Sequence, residues 1–439
     1  MEPVKIGICG LGTVGSGTFN VLTRNQRDIN ARAGCDIIIE KVGARRDNPA
    51  CAISSTQIER DVFAVVENPD IDIVVELIGG TSVAKDLVFK SIDNGKHVVT
   101  ANKALIAEHG NEIFARAKER GVTVAFEAAV AGGIPIIKSI REGLAANRLQ
   151  WLAGIINGTG NFILSEMRDK GSAFDEALKQ AQELGYAEAD PSFDVEGIDA
   201  AHKLVILASL AFGMPLQFDK VFTEGISRIE PQDVEYAQEL GYRIKHLGIA
   251  RRVTLDGGRE GIELRVHPTL IPEKRLIANV DGVMNAVLVM GDAVGATLYY
   301  GPGAGSEATA SAVIADIVDL ARTLTADPRH RVPHLGFAPD TLSNIEILTM
   351  DAVETAYYLR MSVLDRPGEL SKIAQILSAE GISIEALIQK EPKGGAAHVP
   401  LILLTNRAVE KQLMAAVKQV EALDSVQERV TRIRMESLG

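Results

Sequence analysis

Cysteine is scarce in this chain of 439 residues, and its scarcity argues against two kinds of fold. Only Cys9, Cys35 and Cys51 occur, and no CxxC pair is present. A small secreted fold held by disulfides and a zinc site of the cysteine type both need more cysteines at closer spacing. We therefore expect free thiols and a cytoplasmic location, where thiols stay reduced.

Basic charge and long apolar runs are lacking as well. The chain carries 46 Lys and Arg against 58 Asp and Glu, a net charge of −12, without the basic stripe of a nucleic-acid-binding protein. The longest strongly apolar run, residues 204–216, is too short to span a bilayer. The sequence enters a strand pattern at residue 4, so we expect no signal peptide. These features favour a protein that acts on small molecules, without nucleic acid or membrane.

The length predicts two or three domains, and strands alternate with helices over the first of them. Its strand-like segments are residues 4–9, 36–44, 71–77, 97–100 and 122–127. This alternation predicts an α/β domain over residues 1–133, built on a Rossmann-like, doubly wound parallel sheet. From 134 to 305 the pattern indicates a mixed α+β domain. We expect the helix predicted at 306–325 to pack back on the first domain.

The last part of the chain has a different rhythm. Three prolines fall in residues 326–350, which we predict to be a linker. Residues 351–435 follow the order βαββαβ around a loop rich in glycine and alanine, which predicts a ferredoxin-like unit. In its first helix, Pro367 fits the first turn and Gly381 fits the position just beyond the end.

A glycine-rich turn follows the first strand. Gly10, Gly12 and Gly15 match GxGxxG between a strand and a helix, which is the context that makes this motif meaningful. Gly10 permits the tight turn, Gly12 lets the backbone approach a pyrophosphate, and Gly15 allows helix and strand to pack closely. The motif predicts dinucleotide binding. The alternative is a glycine-rich turn without a ligand.

The end of the second strand indicates which dinucleotide binds. An acid there would hold the ribose 2′-hydroxyl of NAD, but the strand ends with Ala44, Arg45 and Arg46. A guanidinium group fits the 2′-phosphate of NADP, so Arg45 favours NADP. Asp47 nearby keeps NAD open, and a solvated arginine pair is the alternative interpretation.

Residues 188–203 are the most informative stretch. They contain Glu188, Asp194, Asp199 and Lys203, and the segment that follows is almost wholly apolar, which predicts a buried helix. Asp199 and Lys203 are four residues apart and therefore share one face of that helix. Buried charges must be paired and are enriched at working sites. A salt bridge at the start of a helix is the plainer alternative.

Three shorter motifs carry weaker signals. Lys103 follows the strand at 97–100, at the sheet edge where ligands bind, although a surface lysine would look the same. The loop 127–135 offers one carboxylate and several carbonyl groups, which suits a hard cation or a hinge between domains. The loop 157–161, with sequence NGTGN, can order a polar ligand or cap a helix.

Together these motifs resemble those of homoserine dehydrogenases. GLGTVG, TANK (100–103), EAAVAGGIP (127–135), NGTGN and EADPSFDVEGIDAAHK occur in that family's order, over about residues 1–325. From about residue 352 the chain resembles an ACT domain, an amino-acid-sensing module, on its DRPGEL turn (365–370). The resemblance implies NAD(P)-dependent interconversion of L-homoserine and L-aspartate 4-semialdehyde, in threonine, methionine and isoleucine biosynthesis. It also implies feedback inhibition by threonine through the ACT domain.

The resemblance implies a role for each matched position. Lys203 matches the proton donor, Lys103 matches a lysine near cofactor and substrate, and residues 134–305 match the part that binds substrate and forms dimers or tetramers. The implied substrate-binding residues are Glu188, Asp199, Asp194, Asn157 and Thr159. The implied cofactor contacts, beyond the glycines, are Thr13, Val14, Arg45, Thr100, Lys103, Gly185 and Gly303. A monovalent cation, Na⁺ above all, is implied at Glu127 and the carbonyl groups of Val130, Gly132 and Ile134. The implied threonine site contains Asp365, Gly368 and Leu370.

Two other functions are compatible with parts of the sequence. An aspartate-semialdehyde dehydrogenase needs a nucleophilic cysteine, but all three cysteines lie in the nucleotide-binding half. A non-catalytic sensor of dinucleotide and amino acid would bind both ligands without turnover. The presence of Glu188, Asp199 and Lys203 together argues against a sensor.

Overall fold

The computed structural model describes residues 3–54, 57–324, 327–390 and 397–439, which form two compact units. Unit 1 comprises the chain up to Gly158, then Asp199–Val221 and Val283–Ile345. Unit 2 comprises Thr159–Ile198, Phe222–Gly282 and Glu346–Gly439. The predicted division at residues 133 and 305 therefore differs from the division by packing, because distant segments of the chain fold together.

The helices of the described residues include eleven of at least eight residues. In chain order they are α1 Thr13–Arg24, α2 Gln26–Ala33, α3 Val62–Glu67, α4 Ser82–Asp93, α5 Lys103–Arg120, α6 Ile136–Lys138, α7 Gly158–Lys170, α8 Phe174–Glu183, α9 Ser192–Val195, α10 Ile198–Phe212, α11 Pro231–Glu239, α12 Ser306–Thr323, α13 Glu369–Ala379 and α14 Glu410–Glu421. None of them combines the length and the apolar character that crossing a membrane requires.

The strands of the described residues range from two to thirteen residues. In chain order they are β1 Val4–Cys9, β2 Ile37–Gly43, β3 Ile58–Glu59, β4 Ile73–Glu76, β5 His97–Thr100, β6 Val124–Ala125, β7 Leu149–Ile155, β8 Phe222–Thr223, β9 Tyr242–Thr254, β10 Glu260–Pro272, β11 Met284–Gly291, β12 Gly295–Pro302, β13 Glu346–Ile347, β14 Glu354–Leu364, β15 Ile384–Gln389, β16 His398–Thr405, β17 Ala408–Val409 and β18 Thr431–Met435.

Unit 1 contains the predicted doubly wound sheet. Its six strands are parallel, in the order β3-β2-β1-β4-β5-β6. The strand order reverses beside β1, and the open crevice at such a reversal is where ligands bind in α/β sheets. The α/β class and the Rossmann-like sheet predicted from the sequence are confirmed.

Helix α12 packs on this sheet although it lies late in the chain. Val313 and Ile317 of α12 share a core with Ile6 of β1 and Phe19 of α1. Gly17 permits the close approach of α1 and α12, because a Cβ atom there would lie 2.5 Å from the carbonyl oxygen of Ser306. Unit 1 also contains an antiparallel sheet in which β11 lies between β7 and β12.

Unit 2 contains the ferredoxin-like βαββαβ arrangement predicted for the end of the chain. Its strands lie in the order β18-β14-β16-β15, with α13 and α14 supplying the two helices. The sheet continues from β18 into the long antiparallel pair β10 and β9, because Thr269 and Leu270 pair in parallel with Arg434 and Met435. The strands of the ferredoxin-like arrangement and the β9–β10 hairpin therefore form one continuous sheet.

Several predicted boundaries at this end were wrong. Pro367 lies before α13 rather than in its first turn, because the chain turns at Gly368 (φ 96°) and the helix begins at Glu369. Gly381 (φ 74°) does take the predicted position beyond the helix end. The predicted helix at 407–422 begins only at Glu410, because β17 first pairs with β14.

The predicted linker is also more ordered than expected. Within 326–350, β13 pairs in parallel with β10, and short 3₁₀ turns precede it. Residue 326 and the glycine- and alanine-rich loop at 391–396 lie outside the described residues. The final strand is shorter than the predicted 426–435, since only Thr431–Met435 pair continuously with β14.

Candidate active site

A cavity of about 470 Å³ opens at the carboxyl ends of β1 and β2, and Gly10, Gly12 and Arg45 line it. Gly10 has φ 105°, and a Cβ atom there would lie 2.5 Å from the carbonyl oxygen of Leu77. A Cβ atom on Gly15 would lie 2.0 Å from the carbonyl oxygen of Gly10, whereas Gly12 faces open space. Gly10 and Gly15 thus leave no room for a Cβ atom, and Gly12 leaves the backbone open to a ligand, as the motif predicted.

The first turn of α1 borders the same crevice. Thr13 is exposed and Val14 is half-buried, and the positive end of the helix dipole at this point favours a phosphate. The hydroxyl group of Ser306 donates to the Thr13 carbonyl oxygen at 2.7 Å, which anchors the turn to α12. Gly303 lies shortly before α12 and approaches Gly132, where a Cβ atom would lie 2.5 Å from the Gly303 carbonyl oxygen.

The rim of the cavity is basic. Arg45 and Arg46 are both exposed there, and Asp47, the acid that kept NAD open, accepts a hydrogen bond from Arg60 at 2.7 Å. Arg60 also donates to the carbonyl oxygen of Ala44 at 3.2 Å. Asp47, which lines the cavity, is therefore paired with an arginine. The charge on this rim favours an anionic group.

Four predicted residues meet around one carboxylate in unit 1. Asp199 is 4% exposed, and its Oδ2 atom accepts hydrogen bonds from Lys203 Nζ at 2.7 Å and Asn157 Nδ2 at 2.8 Å. Lys103 Nζ lies 3.0 Å from the other oxygen, Oδ1. Lys203 Nζ also donates to the carbonyl oxygen of Ile156 at 2.7 Å. The sequence predicted the Asp199–Lys203 pair by helical spacing, whereas its contact with Lys103 joins residues far apart in the chain.

The charges of this cluster are set by its neighbours. Burial by itself raises the pKa of Asp199, but the ammonium groups of Lys203 and Lys103 outweigh it and lower the pKa below the ordinary value. Asp199 is therefore ionised throughout the neutral range and holds both lysines in place. The Lys103 side chain is 34% exposed and that of Lys203 only 11%, so one lysine faces solvent and the other is enclosed.

Residue His202 of α10 lies beside this cluster, and it was not among the predicted site residues. Its ring stacks on Phe218 with centroids 4.1 Å apart, and Nε2 lies 3.3 Å from a Glu108 oxygen. Burial lowers the pKa of His202, so the ring favours its neutral form. A histidine directly before the predicted proton donor, in an otherwise apolar helix, was the available signal.

The remaining residues of the charged stretch belong to unit 2. Glu188 is exposed, and Asp194 is half-buried in α9. The Thr159 hydroxyl donates to the Tyr186 carbonyl oxygen at 2.7 Å, and Gly185 (φ 75°) ends the turn after α8. The predicted substrate-binding group is thus divided between the two units, with Asn157 and Asp199 in unit 1.

The predicted cation loop is buried except at Gly133 and Pro135, and it centres on Glu127. Its two carboxylate oxygens accept the backbone N–H groups of Ile137 and Lys138, each at 2.8 Å, so the side chain caps α6. Burial, and then the charge of Asp316, raises the pKa of Glu127 to about 7. Asp316 accepts the Glu127 N–H at 2.7 Å, and its position on the apolar face of α12 was an overlooked signal.

The carbonyl groups of this loop fit a cation. Val130 and Gly132 are buried, and no described residue donates a hydrogen bond to either carbonyl oxygen. The Ile134 carbonyl oxygen does accept the Ile136 N–H, at 2.7 Å. Buried carbonyl groups need a partner, and together with a carboxylate they form the hard oxygen donor set that alkali cations prefer.

A second cavity, of about 310 Å³, lies in unit 2 between β14, β16 and the start of α13. Asp365, Gly368 and Leu370 line it, as does Gln389, whose amide lies 3.5 Å from the Asp365 carboxylate. The three predicted regulatory residues therefore share one pocket. Gly368 provides the left-handed turn, and Leu370 is exposed on the first turn of the helix.

Comparisons with known families cover most of the chain. The family described as homoserine dehydrogenase matches residues 135–318, and its NAD binding domain matches residues 10–127. The ACT domain family matches residues 357–422. These matches agree with the three-part fold predicted from the sequence.

Individual relatives are similar over their full length. Homoserine dehydrogenases of Pseudomonas aeruginosa and Neisseria gonorrhoeae are 64% and 56% identical over 439 residues, covering 100% of both chains in each case. The crystal structure of a homoserine dehydrogenase from Thiobacillus denitrificans has a TM-score of 0.94 and 62% identity, covering 100% of this chain and 99% of that one.

Proposed function

Because the chain belongs to the homoserine dehydrogenase family, we propose that Lys203 is the proton donor of its reaction. The chain is an NAD(P)-dependent oxidoreductase that interconverts L-aspartate 4-semialdehyde and L-homoserine. The reduced dinucleotide supplies the hydride, and negative charge builds on the aldehyde oxygen. An ammonium group within hydrogen-bond reach stabilises that charge and then gives up a proton from Nζ. The contact that carries this proposal is the 2.7 Å pair of Lys203 with ionised Asp199.

Asp199 and Lys103 support the donor in this mechanism. Asp199 orients Lys203 before the chemical step, since its two oxygens are engaged by Lys103 and Lys203. Lys103, the more exposed of the two lysines, shares the same carboxylate and lies on the route by which a proton returns from solvent. We further propose that Glu188, Asp194, Asn157 and Thr159 bind substrate, with the Glu188 carboxylate holding its ammonium group.

The experiment that tests the proton donor is removal of the ammonium group. Lys203→Ala is expected to lower kcat by roughly a hundredfold or more and to leave the affinity for NADPH nearly unchanged. The matched control is Lys96→Ala, which removes a buried lysine whose ammonium donates to the carbonyl oxygens of Asn68 and Ile71 at 2.6 and 2.7 Å. Near-normal turnover of Lys203→Ala would remove Lys203 from the mechanism, and an equal loss in the control would point to stability instead.

For the cofactor we propose NADP, held at the rim of the 470 Å³ cavity. The support is the exposed Arg45 and the pairing of Asp47 with Arg60, which leaves the 2′-position facing positive charge. The remaining proposed contacts are Gly10, Gly12, Thr13, Val14, Gly15, Thr100, Lys103, Gly185 and Gly303. Assays at 340 nm with homoserine and either NADP or NAD measure the preference, and Arg45→Gln is expected to shift it toward NAD.

We also propose a monovalent cation, Na⁺ in the first instance, in the loop around Glu127. The support is the pair of buried carbonyl groups, on Val130 and Gly132, with no donor among the described residues. The Ile134 carbonyl group and the Glu127 residue complete the proposed donor set. These residues would hold the cation and thereby fix a loop that adjoins Gly303.

The last proposals concern regulation, assembly and location. Threonine is the proposed ligand of the cavity lined by Asp365, Gly368 and Leu370, since the cavity is small and carries a carboxylate for an ammonium group. A homodimer or homotetramer is supported by the sheet face on which Trp151 and Leu298 are half-exposed and Tyr300 is 58% exposed. The three free cysteines suit the cytoplasm.

A further inference from the structure

A buried carboxylate lies beneath the turn that lines the cofactor cavity. Glu76 ends β4, where the three preceding residues are apolar, and it is 0% exposed. Its Oε1 atom accepts the backbone N–H groups of Ile78 at 2.8 Å and Gly79 at 3.2 Å. Its Oε2 atom accepts the hydroxyl group of Thr100 at 2.6 Å. A buried charge is tolerated only when it is satisfied in this way, so Glu76 joins two separate loops.

The second loop leads directly to the lysine cluster. Thr100 Oγ1 accepts the N–H group of Asn102 at 3.0 Å, and Asn102 caps α5 by accepting the N–H group of Leu105 at 3.1 Å. The Asn102 amide also donates to the carbonyl oxygen of Gly80 at 2.6 Å. Lys103 is the next residue, so the direction in which it leaves the sheet is set by this cap.

These bonds form a closed ring between the loops after β4 and β5. The ring runs from Glu76 to Thr100, on to Asn102, and back through Gly80 to the turn that Glu76 holds. On its outer side, Leu77 and Ile78 line the cofactor cavity. On its inner side, Lys103 lies 3.0 Å from Asp199. One side chain therefore connects the wall of the cofactor cavity with the start of α5.

We propose that Glu76 is a positioning residue of the dehydrogenase, which holds the cofactor-cavity turn and the Lys103 end of α5 in one fixed arrangement. The proposal rests on the proposed role of Lys103. Glu76 touches neither the reacting atoms nor the cofactor, and it acts through Thr100 and Asn102. Displacing catalytic groups by about 1 Å can cost a hundredfold in rate, which is why a residue of this kind matters.

The substitution Glu76→Gln removes the acceptor of the Thr100 hydroxyl group and keeps the shape of the side chain. A glutamine oxygen can still accept the N–H groups of Ile78 and Gly79, but its amide nitrogen donates and cannot accept the Thr100 hydroxyl. Thr100→Val opens the same bond from the other side and serves if the first variant fails to fold. Ser91→Ala is the matched control, because it removes a buried hydroxyl group that donates to Leu87 within α4, at 2.7 Å, and lies outside the ring.

The test compares Glu76→Gln in the wild-type and Lys103→Ala backgrounds, by kcat, NADPH dissociation constant and thermal midpoint. We expect Glu76→Gln to lower kcat about tenfold in the wild type and less than about twofold in Lys103→Ala, because coupled residues are not additive. The NADPH dissociation constant should rise several-fold in both backgrounds. The Ser91→Ala control should leave kcat and NADPH affinity unchanged.

Three contrary results are distinguishable. The same tenfold loss of kcat in both backgrounds would mean that Glu76 acts on the fold in general, and would reject the positioning role alone. Normal kcat in Lys103→Ala would reject the proposed role of Lys103, and the inference about Glu76 with it. Unchanged kcat in Glu76→Gln would overturn the inference whatever Lys103 does.

Discussion

The buried carboxylate of the candidate active site in unit 1 is paired with lysines, whereas the buried carboxylate of Glu410 in unit 2 is paired with an arginine. In unit 1, Asp199 is held by Lys103 and Lys203. In unit 2, the Arg434 guanidinium donates to both oxygens of Glu410, at 2.9 and 2.5 Å, and to Glu224 at 2.8 Å. A lysine can lose its proton and regain it, whereas an arginine stays charged and binds with a fixed planar fork. Of these two sites, the one with lysines suits a proton that must move, and the one with arginine suits charge that holds elements together.

The arginine contacts of unit 2 recur along its continuous sheet. Arg360 of β14 donates to Asp233 of α11 at 2.6 Å, and Arg265 of β10 donates to Glu436 at 2.5 Å. Asp233 is 0% exposed and Arg265 only 1% exposed, so neither charge can be solvated if its partner is removed. These two buried pairs connect the ACT-type module to the elements that precede it.

The largest expected effect follows from removing that module. Deletion of residues 351–439 would remove β14 and β18 from the sheet, take Arg360 from Asp233, and leave Arg265 only Glu263 of its two carboxylate partners; a broken buried pair costs roughly 3–5 kcal/mol. Such losses rival the whole stability of a domain, so we expect an unfolded or insoluble product. Solubility and circular dichroism measure this. The sequence alone suggested a detachable regulator, and a soluble, active product would restore that view.

A point variant tests regulation without breaking those pairs. Asp365→Ala alters the cavity in unit 2 at an exposed residue, so we expect the chain to stay folded and to turn over homoserine normally. Inhibition by threonine should weaken by about tenfold, which corresponds to 1.4 kcal/mol of lost binding. Inhibition curves against threonine give the answer, and an unchanged curve would place the threonine site elsewhere.

The next largest effect is expected from replacing the lysine beside Asp199 with arginine, the cation that pairs with Glu410. Lys203→Arg keeps a cation beside Asp199 but removes a proton that can be given up, and proton transfer contributes roughly 10²–10⁴-fold to rate. We expect kcat to fall by that factor while NADPH binding persists. Stopped-flow reduction of NADP with homoserine separates the chemical step from product release. A variant with near wild-type turnover would mean that the charge alone is needed.

The reverse exchange, arginine to lysine in unit 2, should have a smaller effect. It should lower the stability of the protein rather than its rate of turnover. Arg434→Lys keeps the charge but loses the planar fork that binds both oxygens of Glu410, which is worth roughly 1.5–3 kcal/mol. We expect the urea midpoint to fall while kcat at low temperature stays the same. Loss of turnover without loss of stability would contradict the division of roles between the two cations.

A carboxylate on which burial outweighs a nearby lysine sharpens the comparison further. The pKa of Glu127 is raised from 4.5 to about 7, first by burial and then by Asp316, which corresponds to on the order of 3 kcal/mol. Because the folded pKa exceeds the unfolded one, this stability is fully present below pH 4.5 and is lost as pH rises through about 7. Urea unfolding across this range, in NaCl and in equal tetramethylammonium chloride, measures the effect. We expect Na⁺ to flatten the slope, and identical slopes in both salts would argue against the proposed cation.

What the sequence could predict was mostly local or topological. The Asp199–Lys203 contact follows from helical spacing, and the place of Lys103 follows from the rule for parallel-sheet edges. The contacts of Asp199 with Lys103 and Asn157 join segments far apart in the chain, which no local pattern encodes. Glu76 is an acid at the end of an apolar strand, which the sequence shows. Its partners lie on another loop, and the sequence does not show them.

The arginine contacts of unit 2 were hidden for another reason. Arg360 and Arg434 occupy alternating positions on strands, which a period-two pattern assigns to a solvent-facing side. Helix α11 instead covers Arg360 through Asp233, and Glu410 at the start of α14 covers Arg434. Strand alternation tells two faces apart, but it cannot tell which polar face another element will cover.

The position of β18 has a consequence for how the chain is made. It follows every other strand of its sheet in chain order, yet it lies in the interior, between β10 and β14. During synthesis, β10 and β14 cannot pair with β18 until residues 431–435 leave the ribosome. A ribosome that stalls before that point would release a chain with an unpaired inner edge, which invites pairing with other chains. The inner edges of β10 and β14 are therefore paired only once residues 431–435 are present.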